Sequence, residues 1–407
     1  MKKNQTNKIL EYHLGGKIAL KIAKKLVDQN DLSVAYTPGV AEVCKIIEKN
    51  PEKMWELTSK GNSVAVITDG TAVLGLGNIG VNASLPVMEG KAILFKMFAD
   101  IDAWPILVDT SGNVEQFVTI TRNIASSFGG INLEDIAAPH CFPIEEQLQK
   151  ALDIPVFHDD QWGTAVIVLA AITNCALITG KKLEKLSILI NGAGAAGLRI
   201  AEMLKQSGIN DLTLCDKEGV LNHKRKDLFG LKAKFSIKTP FTTVTEAIKD
   251  KDVFIGVSAP NCISGNMIAS MGEYPIIFAL ANPIPEIMPQ EVKKYLKGRK
   301  YIMATGRSDF PNQINNVLGF PFIFRGALNV RANKITLNMK IAAAKELAAI
   351  AKETYIPKEM IKAYNRDFDF GPTYFIPTIF DPRLKERVAN AVSLAAIKDK
   401  VARKKCL

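Results

Sequence analysis

Residues 187–198 read Ser-Ile-Leu-Ile-Asn-Gly-Ala-Gly-Ala-Ala-Gly-Leu, and this stretch decides the fold class of the chain. It begins with an apolar run of the kind that forms a strand buried on both faces of a parallel sheet. Three glycines follow with the spacing Gly-x-Gly-x-x-Gly, and residues 198–207 predict a helix. A second strand, Leu212 to Cys215, ends at Asp216, about twenty residues beyond the glycines. This order of strand, glycine loop, helix, strand and acid predicts a nucleotide-binding βαβ unit.

The segments after this unit predict that it belongs to an open, doubly wound α/β sheet of the Rossmann type. Three more strand patterns, 253–258, 276–280 and 301–305, would extend the sheet. Ligands of such sheets bind at the carboxyl ends of the strands, where glycine backbone can approach a pyrophosphate at a helix N-terminus. A tight turn that binds nothing is the alternative interpretation. The predicted cofactor-binding residues in this part are Gly192, Gly194, Ala195, Ala196, Gly197, Asp216, Ser258 and Asn282.

Asp216 bears on which dinucleotide the site takes. A carboxylate at this position accepts hydrogen bonds from the adenosine ribose hydroxyls, as in NAD sites, and repels a 2′-phosphate. Lys217 and the basic stretch Lys224-Arg225-Lys226 offset that repulsion. The sequence therefore predicts NAD or NADP and leaves the choice open.

A second signal lies between residues 154 and 172, where Asp159 and Asp160 separate a strand pattern from an apolar helix predicted to start at Gly163. One Asp would serve as the helix N-cap, which leaves the other without that role. Glu134-Asp135 forms another acidic pair at the end of a strand pattern. Hard cations prefer carboxylate oxygens, so the two pairs favour Mg²⁺ or Mn²⁺. Ordinary surface acidic pairs are the alternative.

The first half of the chain predicts a further α/β layer that contains one lysine of interest. Strand patterns cover 63–68 and 104–109, and a helix pattern covers 113–127. The glycine-rich loop 73–80 lacks the Lys-Ser/Thr of a phosphate loop, and no strong helix is predicted directly after it, so we interpret it as a tight turn. Lys91 precedes a buried helix pattern. It either reaches the surface or, if enclosed, has a lowered pKa and can act as a base.

The two ends of the chain carry helical patterns. Surface helices are predicted at the start, including an ordinary helix over the basic amphipathic segment 15–27. Tyr36 falls on a short loop before a helix at 40–47, where a tyrosine is usually a packing residue. Helices at 334–352 and 384–405 follow the last strand pattern.

Length and composition indicate two domains, with a boundary between residues 160 and 161 of the 407. Six scattered cysteines without Cys-x-x-Cys spacing favour a reducing compartment, and the start of the chain lacks the apolar region of a secretory signal. The apolar run 164–179 is interrupted by Thr173 and Asn174 and is expected to fall short of a membrane span. These patterns predict a cytoplasmic location and no membrane partner.

The formal net charge of +11, from 52 Lys and Arg against 41 Asp and Glu, suits an anionic partner. Such a partner is either nucleic acid or a small anionic substrate. The basic residues are scattered apart from a tail at 398–405, and no basic strip alternates with aromatic residues. We therefore expect no nucleic-acid partner, and a non-catalytic anion-binding or nucleic-acid-binding protein is the weakest alternative.

Ordered motifs along nearly the whole chain resemble those of the malic enzymes, specifically the short bacterial-type form. The motifs are Tyr36-Thr37-Pro38-Gly39-Val40-Ala41, Leu74-Gly75-Leu76-Gly77-Asn78-Ile79-Gly80, Pro86-Val87-Met88-Glu89-Gly90-Lys91, Asn132-Leu133-Glu134-Asp135, His158-Asp159-Asp160-Gln161-Trp162-Gly163-Thr164, Phe278-Ala279-Leu280-Ala281-Asn282-Pro283 and Asn315-Asn316. The resemblance implies oxidative decarboxylation of (S)-malate to pyruvate and CO₂, with reduction of NAD or NADP and dependence on Mg²⁺ or Mn²⁺. It implies a substrate domain at 1–160 and a dinucleotide-binding domain with a closing helix at 161–407.

The same resemblance implies roles for individual residues. The implied metal ligands are Glu134, Asp135 and Asp160. Lys91 resembles the base that takes the proton of the C2 hydroxyl, Tyr36 the acid that protonates C3, and Asp159 a residue that supports Lys91 electrostatically. Asn282 and Asn316 are implied to lie where the nicotinamide and the substrate carboxylates meet. The resemblance also implies a homodimer, in which Tyr36 reaches the site of the neighbouring subunit.

The sequence departs from the family pattern at one position. Longer animal-type relatives carry a substrate-gripping Arg two residues after the Asp-Gly that precedes the glycine loop, but here Asp69-Gly70 is followed by Thr71-Ala72. Another group must therefore bind the malate carboxylate. The alternative function is a metal-free 2-hydroxy-acid or amino-acid-type dehydrogenase, which usually uses a His base with an Arg clamp. None of the four histidines has that arrangement in the sequence.

Overall fold

A four-stranded parallel sheet forms the first half of the chain in this computed structural model, which describes residues 3–73 and 75–405. Its strands are β1 Ser63–Thr68, β2 Asp102–Leu107, β3 Gly130–Leu133 and β4 Val156–His158. They lie in the order β2-β1-β3-β4, and each neighbouring pair is parallel. Because all four strands run the same way, their carboxyl ends meet at one edge of the sheet.

A six-stranded sheet forms the second half. Its strands are β5 Ile188–Asn191, β6 Leu212–Asp216, β7 Gly219–Val220, β8 Val253–Gly256, β9 Ile276–Ala279 and β10 Ile302–Thr305. They lie in the order β10-β9-β8-β5-β6-β7, with only the short β6–β7 pair antiparallel. The chain crosses from one side of β5 to the other before β8, which creates the switch point where such sheets bind ligands. The predicted fold class, an N-terminal α/β part with a Rossmann-type doubly wound sheet, is confirmed.

Helices cover both sheets. Those of the first half are α1 Lys3–His13, α2 Gln29–Ala35, α3 Val40–Lys49, α4 Met54–Leu57, α5 Val81–Ala99, α6 Val114–Ile124 and α7 Cys141–Ala151. Those of the second half are α8 Asp159–Thr179, α9 Ala195–Gln206, α10 Gly230–Lys234, α11 Val244–Ala247, α12 Gly265–Ala269, α13 Pro289–Tyr295, α14 Phe320–Asn329, α15 Leu337–Ala351, α16 Lys358–Tyr364 and α17 Arg383–Lys398.

Helix α8 is the central helix of the core. It packs against α9 and α15, and its apolar side chains are buried almost all the way round. In length and composition it is able to cross a membrane, which corrects the expectation that this run falls short of a span, but 72% of its apolar window is buried inside the protein. The helix also starts at Asp159, four residues before the predicted start at Gly163, so both carboxylates lie in its first turn.

Aromatic packing joins the two halves of the chain. Phe95 on α5 contacts Phe320 and Phe324 on α14, with ring centroids 4.7 and 5.4 Å apart. Helix α14 also packs against α17, and one continuous apolar core includes residues of both sheets. This packing fixes the carboxyl edge of the first sheet against the second half. The predicted domain boundary at 160/161 falls in the first turn of α8 and stays a prediction.

Two further local predictions were wrong. Segment 15–27 is not helical and is almost entirely exposed, so its amphipathic pattern has no surface within the chain to bury against. Helix α5 begins at Val81, directly after the glycine-rich loop, and continues through Pro86. Tertiary packing of its buried face outweighs the helix-breaking tendency of that proline. The tight-turn interpretation of the loop itself is confirmed, because a Cβ at Gly75 would lie 2.4 Å from the backbone oxygen of Asn282.

Candidate functional site

Three carboxylates converge at the carboxyl edge of the first sheet. One oxygen each of Glu134, Asp135 and Asp160 lies within 4.8 Å of the others, and we call these three residues the acidic cluster. The convergence follows from the sheet, because β3 and β4 are parallel with Leu133 opposite His158. The pairs that follow these two strands therefore lie side by side. The Asp135 backbone N–H donates to Asp160 Oδ2 at 2.8 Å, which ties the two loops together.

Lys91 reaches this cluster from α5. Its side chain is 8% exposed, and Nζ lies 2.8 Å from Glu134 Oε1 and 2.6 Å from Asp159 Oδ2. The ring of Phe320 lies 4.2 Å from the ammonium and covers it. Burial alone would lower the pKa of Lys91, but the two carboxylates outweigh burial and raise it. The expectation that enclosure lowers this pKa was therefore wrong, because the sequence did not reveal two carboxylates in contact.

Asp159 connects Lys91 to the second half of the chain. Asn316 Nδ2 donates to Asp159 Oδ2 at 2.5 Å, so one carboxylate oxygen serves both partners. The residue one turn further along α8 has to be small. A Cβ at Gly163 would lie 2.1 Å from Asp159 Oδ1 and 2.7 Å from the Asn316 Cβ atom. Gly163 thus makes room for the contact between the two halves.

The charges at this site are unbalanced. Burial raises the pKa of Glu134, Asp159 and Asp160 above ordinary carboxylate values. Two of these carboxylates contact the single ammonium of Lys91, Glu134 and Asp159, and Asp160 lies beside Glu134 in the acidic cluster. Buried charge without compensation is costly, and oxygen-only ligand sets suit Mg²⁺ or Mn²⁺. The residues of the acidic cluster therefore fit a divalent cation.

The glycine loop between β5 and α9 has the shape of a phosphate-binding turn. Gly192 has a φ of 122°, and a Cβ at Gly197 would lie 1.7 Å from the Gly192 backbone oxygen, so both positions exclude larger residues. A Cβ at Gly194 would meet nothing within 4 Å. Gly194 is also the N-cap of α9, and no side chain caps that helix. Open space and uncapped amides at the positive end of a helix fit a dinucleotide pyrophosphate.

Ser258 and Asn282 stand at the ends of β8 and β9, as predicted for the cofactor side. Both are exposed at the carboxyl edge of the second sheet. The buried carboxylate of Glu286 accepts from the Ser258 N–H at 2.9 Å and from the Ala281 N–H at 3.0 Å. Glu286 therefore ties the two loops together. Nothing in the sequence pattern pointed to it, since a lone Glu in a proline-rich loop is usually solvated.

Two protein-family models match most of the chain. The malic enzyme N-terminal domain model matches residues 15–149, and the malic enzyme NAD binding domain model matches residues 162–362.

The chain belongs to the malic enzyme family.

Individual relatives agree with the family models. A Rickettsia prowazekii protein named "Probable NADP-dependent malic enzyme" is 50% identical over 100% of this chain and 53% of its own length. A Geobacillus stearothermophilus protein named NAD-dependent malic enzyme is 45% identical over 98% of this chain and 81% of its own length. The crystal structure of a Pyrococcus horikoshii malic enzyme matches with a TM-score of 0.89 and 44% identity, covering 99% of this chain and 93% of that one. The chain thus spans about half the length of the Rickettsia relative.

A buried polar network supports the start of α8 in this malic enzyme family member, and sequence reasoning missed it. Glu145 on α7 accepts from the His158 N–H at 3.1 Å and from Trp162 Nε1 at 3.0 Å. Arg199 on α9 donates to Gln161 at 2.9 Å and stacks on Trp162, with its guanidinium 4.5 Å from the ring centroid. A buried indole N–H needs an acceptor, so Trp162 was the available signal. The network fixes the turn that presents Asp159 and Asp160.

Ala72 stands where longer malic enzymes are expected to carry the substrate-gripping Arg, and the residue before it, Thr71, has a structural role. Its hydroxyl donates to Asp69 Oδ1 at 2.6 Å and accepts from the Ala137 N–H at 2.9 Å. The Ala72 N–H donates to the Asp135 backbone oxygen at 2.9 Å. These bonds hold the loop that carries Asp135.

Tyr36 makes no hydrogen bond to the acidic cluster among the described residues of one chain. Its side chain is 68% exposed. Its hydrogen bonds within residues 3–73 and 75–405 are made by the backbone, to Leu32 and Val40. The packing role expected for a tyrosine before Pro-Gly is therefore not seen in a single chain.

Proposed function

We propose that this chain catalyses the oxidative decarboxylation of (S)-malate to pyruvate and CO₂, with reduction of NAD or NADP and with a divalent cation, Mg²⁺ or Mn²⁺. One observation carries the proposal: Lys91 contacts Glu134 of the acidic cluster and Asp159, and Asp159 contacts Asn316 of the second half. A base, a cation site and a dinucleotide half thus meet at one point. Membership of the malic enzyme family supports the same reaction.

The substrate is oriented by residues of both halves. In our proposal Glu134, Asp135 and Asp160 hold the cation, and Asn282 and Asn316 lie beside the nicotinamide and the substrate carboxylates. Asn316 is fixed by its bond to Asp159, so its position follows that of the catalytic lysine. A divalent cation at this position supplies a positive charge that stabilises negative charge on the substrate during loss of CO₂. Bound NAD or NADP supplies the hydride acceptor.

Proton transfer falls to the side chains around Lys91. The ammonium must give up its proton before Nζ can take the proton of the C2 hydroxyl. Asp159 Oδ2, 2.6 Å from Nζ, is the acceptor within reach, and burial raises its pKa. Phe320 lies over the ammonium and the Lys91 side chain is 8% exposed, so little water reaches this exchange. Asp159 in this way supports Lys91 electrostatically and by position.

Tyr36 completes the site in a homodimer, as we propose, by protonating C3 in the neighbouring subunit. Support comes from the apolar surface around it, which a single chain leaves exposed. The exposed apolar side chains of this region are Ile9, Leu10, Tyr12, Leu14, Ile18, Leu20, Ile22, Leu26, Val27, Leu32, Val34 and Ile46. Such a surface is typical of one that a partner covers.

We propose residues 1–160 as the substrate domain and 161–407 as the dinucleotide-binding domain, in line with the two matching family models. We also propose a cytoplasmic location. The cysteines of the described chain, Cys44, Cys141, Cys175, Cys215 and Cys262, are free thiols, which suits a reducing compartment.

Initial-rate kinetics test the function. Malate, each dinucleotide and Mn²⁺ are added or withheld in turn, and pyruvate, CO₂ and reduced dinucleotide are measured. We expect equal amounts of the three products, only when all components are present. Full activity in excess EDTA, or oxaloacetate released without CO₂, would instead support a metal-free dehydrogenase.

A further inference from the structure

The end of β6 lies beside the glycine loop, where an acid normally selects the dinucleotide. The Gly192 N–H donates to the Cys215 backbone oxygen at 2.9 Å. Asp216, the next residue after Cys215, therefore lies close to the glycine loop. A free carboxylate at this position binds the ribose hydroxyls of NAD and repels the 2′-phosphate of NADP.

Asp216 is not a free carboxylate in this chain. Arg225 grips both of its oxygens, with NH1 2.7 Å from Oδ1 and NH2 3.1 Å from Oδ2, and Lys232 Nζ lies 2.7 Å from Oδ2. One negative charge therefore faces two positive charges. Burial alone would raise the pKa of Asp216, but these hydrogen bonds lower it to about 2. The repulsion expected from a lone acid is thus cancelled locally.

The two cations are held in different ways. Arg225 is anchored apart from Asp216, because its guanidinium also bonds Asp227 and the backbone oxygens of Gly219 and Val220. Its position therefore does not depend on Asp216. Lys232 has Asp216 as the one hydrogen-bond partner of its ammonium among described residues, and its side chain is 36% exposed. Lys232 is thus free to move from the carboxylate to a ligand.

The surroundings reinforce the positive charge. Residues 216–234 include six Lys or Arg and three Asp or Glu, a net charge of +3. Lys217, Lys224 and Lys226 are exposed around the pair. An anion that approaches Asp216 therefore meets a positive field.

We propose that this site accepts the 2′-phosphate of NADP, with Arg225 and Lys232 as the phosphate-binding residues. The inference rests on the proposed dinucleotide site and names its cofactor. In the proposed complex, the 2′-phosphate accepts hydrogen bonds from the ammonium of Lys232 and from one edge of the Arg225 guanidinium. The Asp216 side chain rotates away from these two cations. Bidentate and charge-assisted bonds of this kind are the strongest that a protein offers to phosphate.

Calorimetric binding of adenosine fragments tests the inference without any turnover. The probes are adenosine 2′,5′-bisphosphate, its 3′,5′ isomer of equal charge, and 5′-AMP. We expect the 2′,5′ isomer to bind at least about tenfold tighter than the other two, since one added charge-assisted contact is worth roughly that factor. Lys232→Met should weaken only the 2′,5′ isomer, by about tenfold. Lys234→Met, an exposed lysine of the same helix, is the matched control and should change nothing.

Asp216→Asn gives the opposite shift. Loss of the carboxylate leaves Lys232 without its carboxylate partner and removes one of the two that pair with Arg225, so this variant should bind the 2′,5′ isomer more tightly than the unmodified chain does. Equal binding of both bisphosphates, or an equal loss of all three probes in Lys232→Met, would overturn the inference. A chain that binds the probes as expected but does not oxidise malate would overturn the proposed function instead.

Discussion

The acidic cluster and the end of β6 occupy equivalent places in the two sheets but carry opposite imbalances of charge. Both lie at the carboxyl ends of parallel strands, where side chains converge. At the first, Glu134 and its neighbours outnumber the single ammonium of Lys91. At the second, Arg225 and Lys232 pair with Asp216 and Asp227, and the surrounding residues 216–234 carry a net charge of +3. In our two proposals, the same topological position holds a cation in one sheet and an anion in the other, and the surplus charge selects the ligand.

The largest expected effect comes from removing the ammonium of Lys91, which contacts the acidic cluster. Lys91→Ala should lower kcat by about a thousandfold, within the range of general acid–base catalysis, while dinucleotide binding measured by fluorescence is unchanged. Lys96→Ala, an exposed lysine on the same helix, is the control and should keep full activity. Loss of dinucleotide binding in the Lys91 variant would mean that the two sites are not independent.

The second effect concerns the surplus of carboxylates. Mn²⁺ at about one hundred times its dissociation constant should stabilise the folded chain by ~2.7 kcal/mol, and Asp160→Asn should abolish most of that gain. Thermal melting with and without Mn²⁺ measures both. Glu146→Gln, which alters an exposed carboxylate outside the cluster, should keep the full stabilisation. Equal stabilisation by Mn²⁺ of the unmodified chain, Asp160→Asn and Glu146→Gln would mean that the acidic cluster does not bind the ion.

At the proposed dinucleotide site, the carboxylate of Glu286 accepts hydrogen bonds from the backbone of two loops. Glu286→Ala leaves the N–H groups of Ser258 and Ala281 without their acceptor, and each such loss typically costs about 1–3 kcal/mol. We expect roughly 2 kcal/mol lower stability and a higher KM for the dinucleotide, with kcat less affected. Glu286→Gln keeps an acceptor oxygen, so its stability and its KM should lie between those of the unmodified chain and those of Glu286→Ala. An unchanged KM in both variants would show that Glu286 does not position these loops.

The smallest effect concerns Lys340, which lies buried on α15 with Nζ 3.3 Å from the centroid of the Trp162 ring. Burial lowers the pKa of Lys340 to about 8, with Glu145 and Glu202 opposing the shift and Arg199 adding to it. Between that value and the unfolded value of 10.5 only the unfolded chain is protonated, so the free energy of unfolding should rise with pH across this window.

Lys340→Met should remove this pH dependence. Below pH 8 it should stabilise the fold by on the order of 1 kcal/mol, once the lost contact between the ammonium and Trp162 is deducted. Urea unfolding at pH 7 and at pH 9.5 measures the difference. A less stable variant at pH 7 would mean that the ammonium contributes more than its burial costs.

Local pattern carried most of the fold prediction. The strand at 63–68 and the acid at 216 were placed from apolar runs bounded by polar residues, because buried parallel strands leave that signature. The start of α5 was missed because Pro86 and the nearby glycines mask a helix that tertiary packing maintains. The helix predicted for segment 15–27 was wrong for the opposite reason, because its pattern is helical but no other part of the described chain packs over it.

The candidate site was less accessible to sequence reasoning. Resemblance gave Lys91 and the three carboxylates, but their contacts, and hence the raised pKa of Lys91, depend on distances between separate elements. Glu286 was out of reach for the same reason, because its partners lie in other loops and a single Glu carries no periodic signal. Arg225 was noted only as part of the basic stretch 224–226, and its direct contact with Asp216 was not predicted.

Titration of the chain with Mn²⁺, followed by electron paramagnetic resonance of the free ion, tests the central claim most directly. We predict one tightly bound ion per chain, lost in a Glu134→Gln/Asp160→Asn double variant and retained in Asp216→Asn. Stoichiometric binding that survives the double variant, or no binding by the unmodified chain, would contradict the view that the acidic cluster is a cation site.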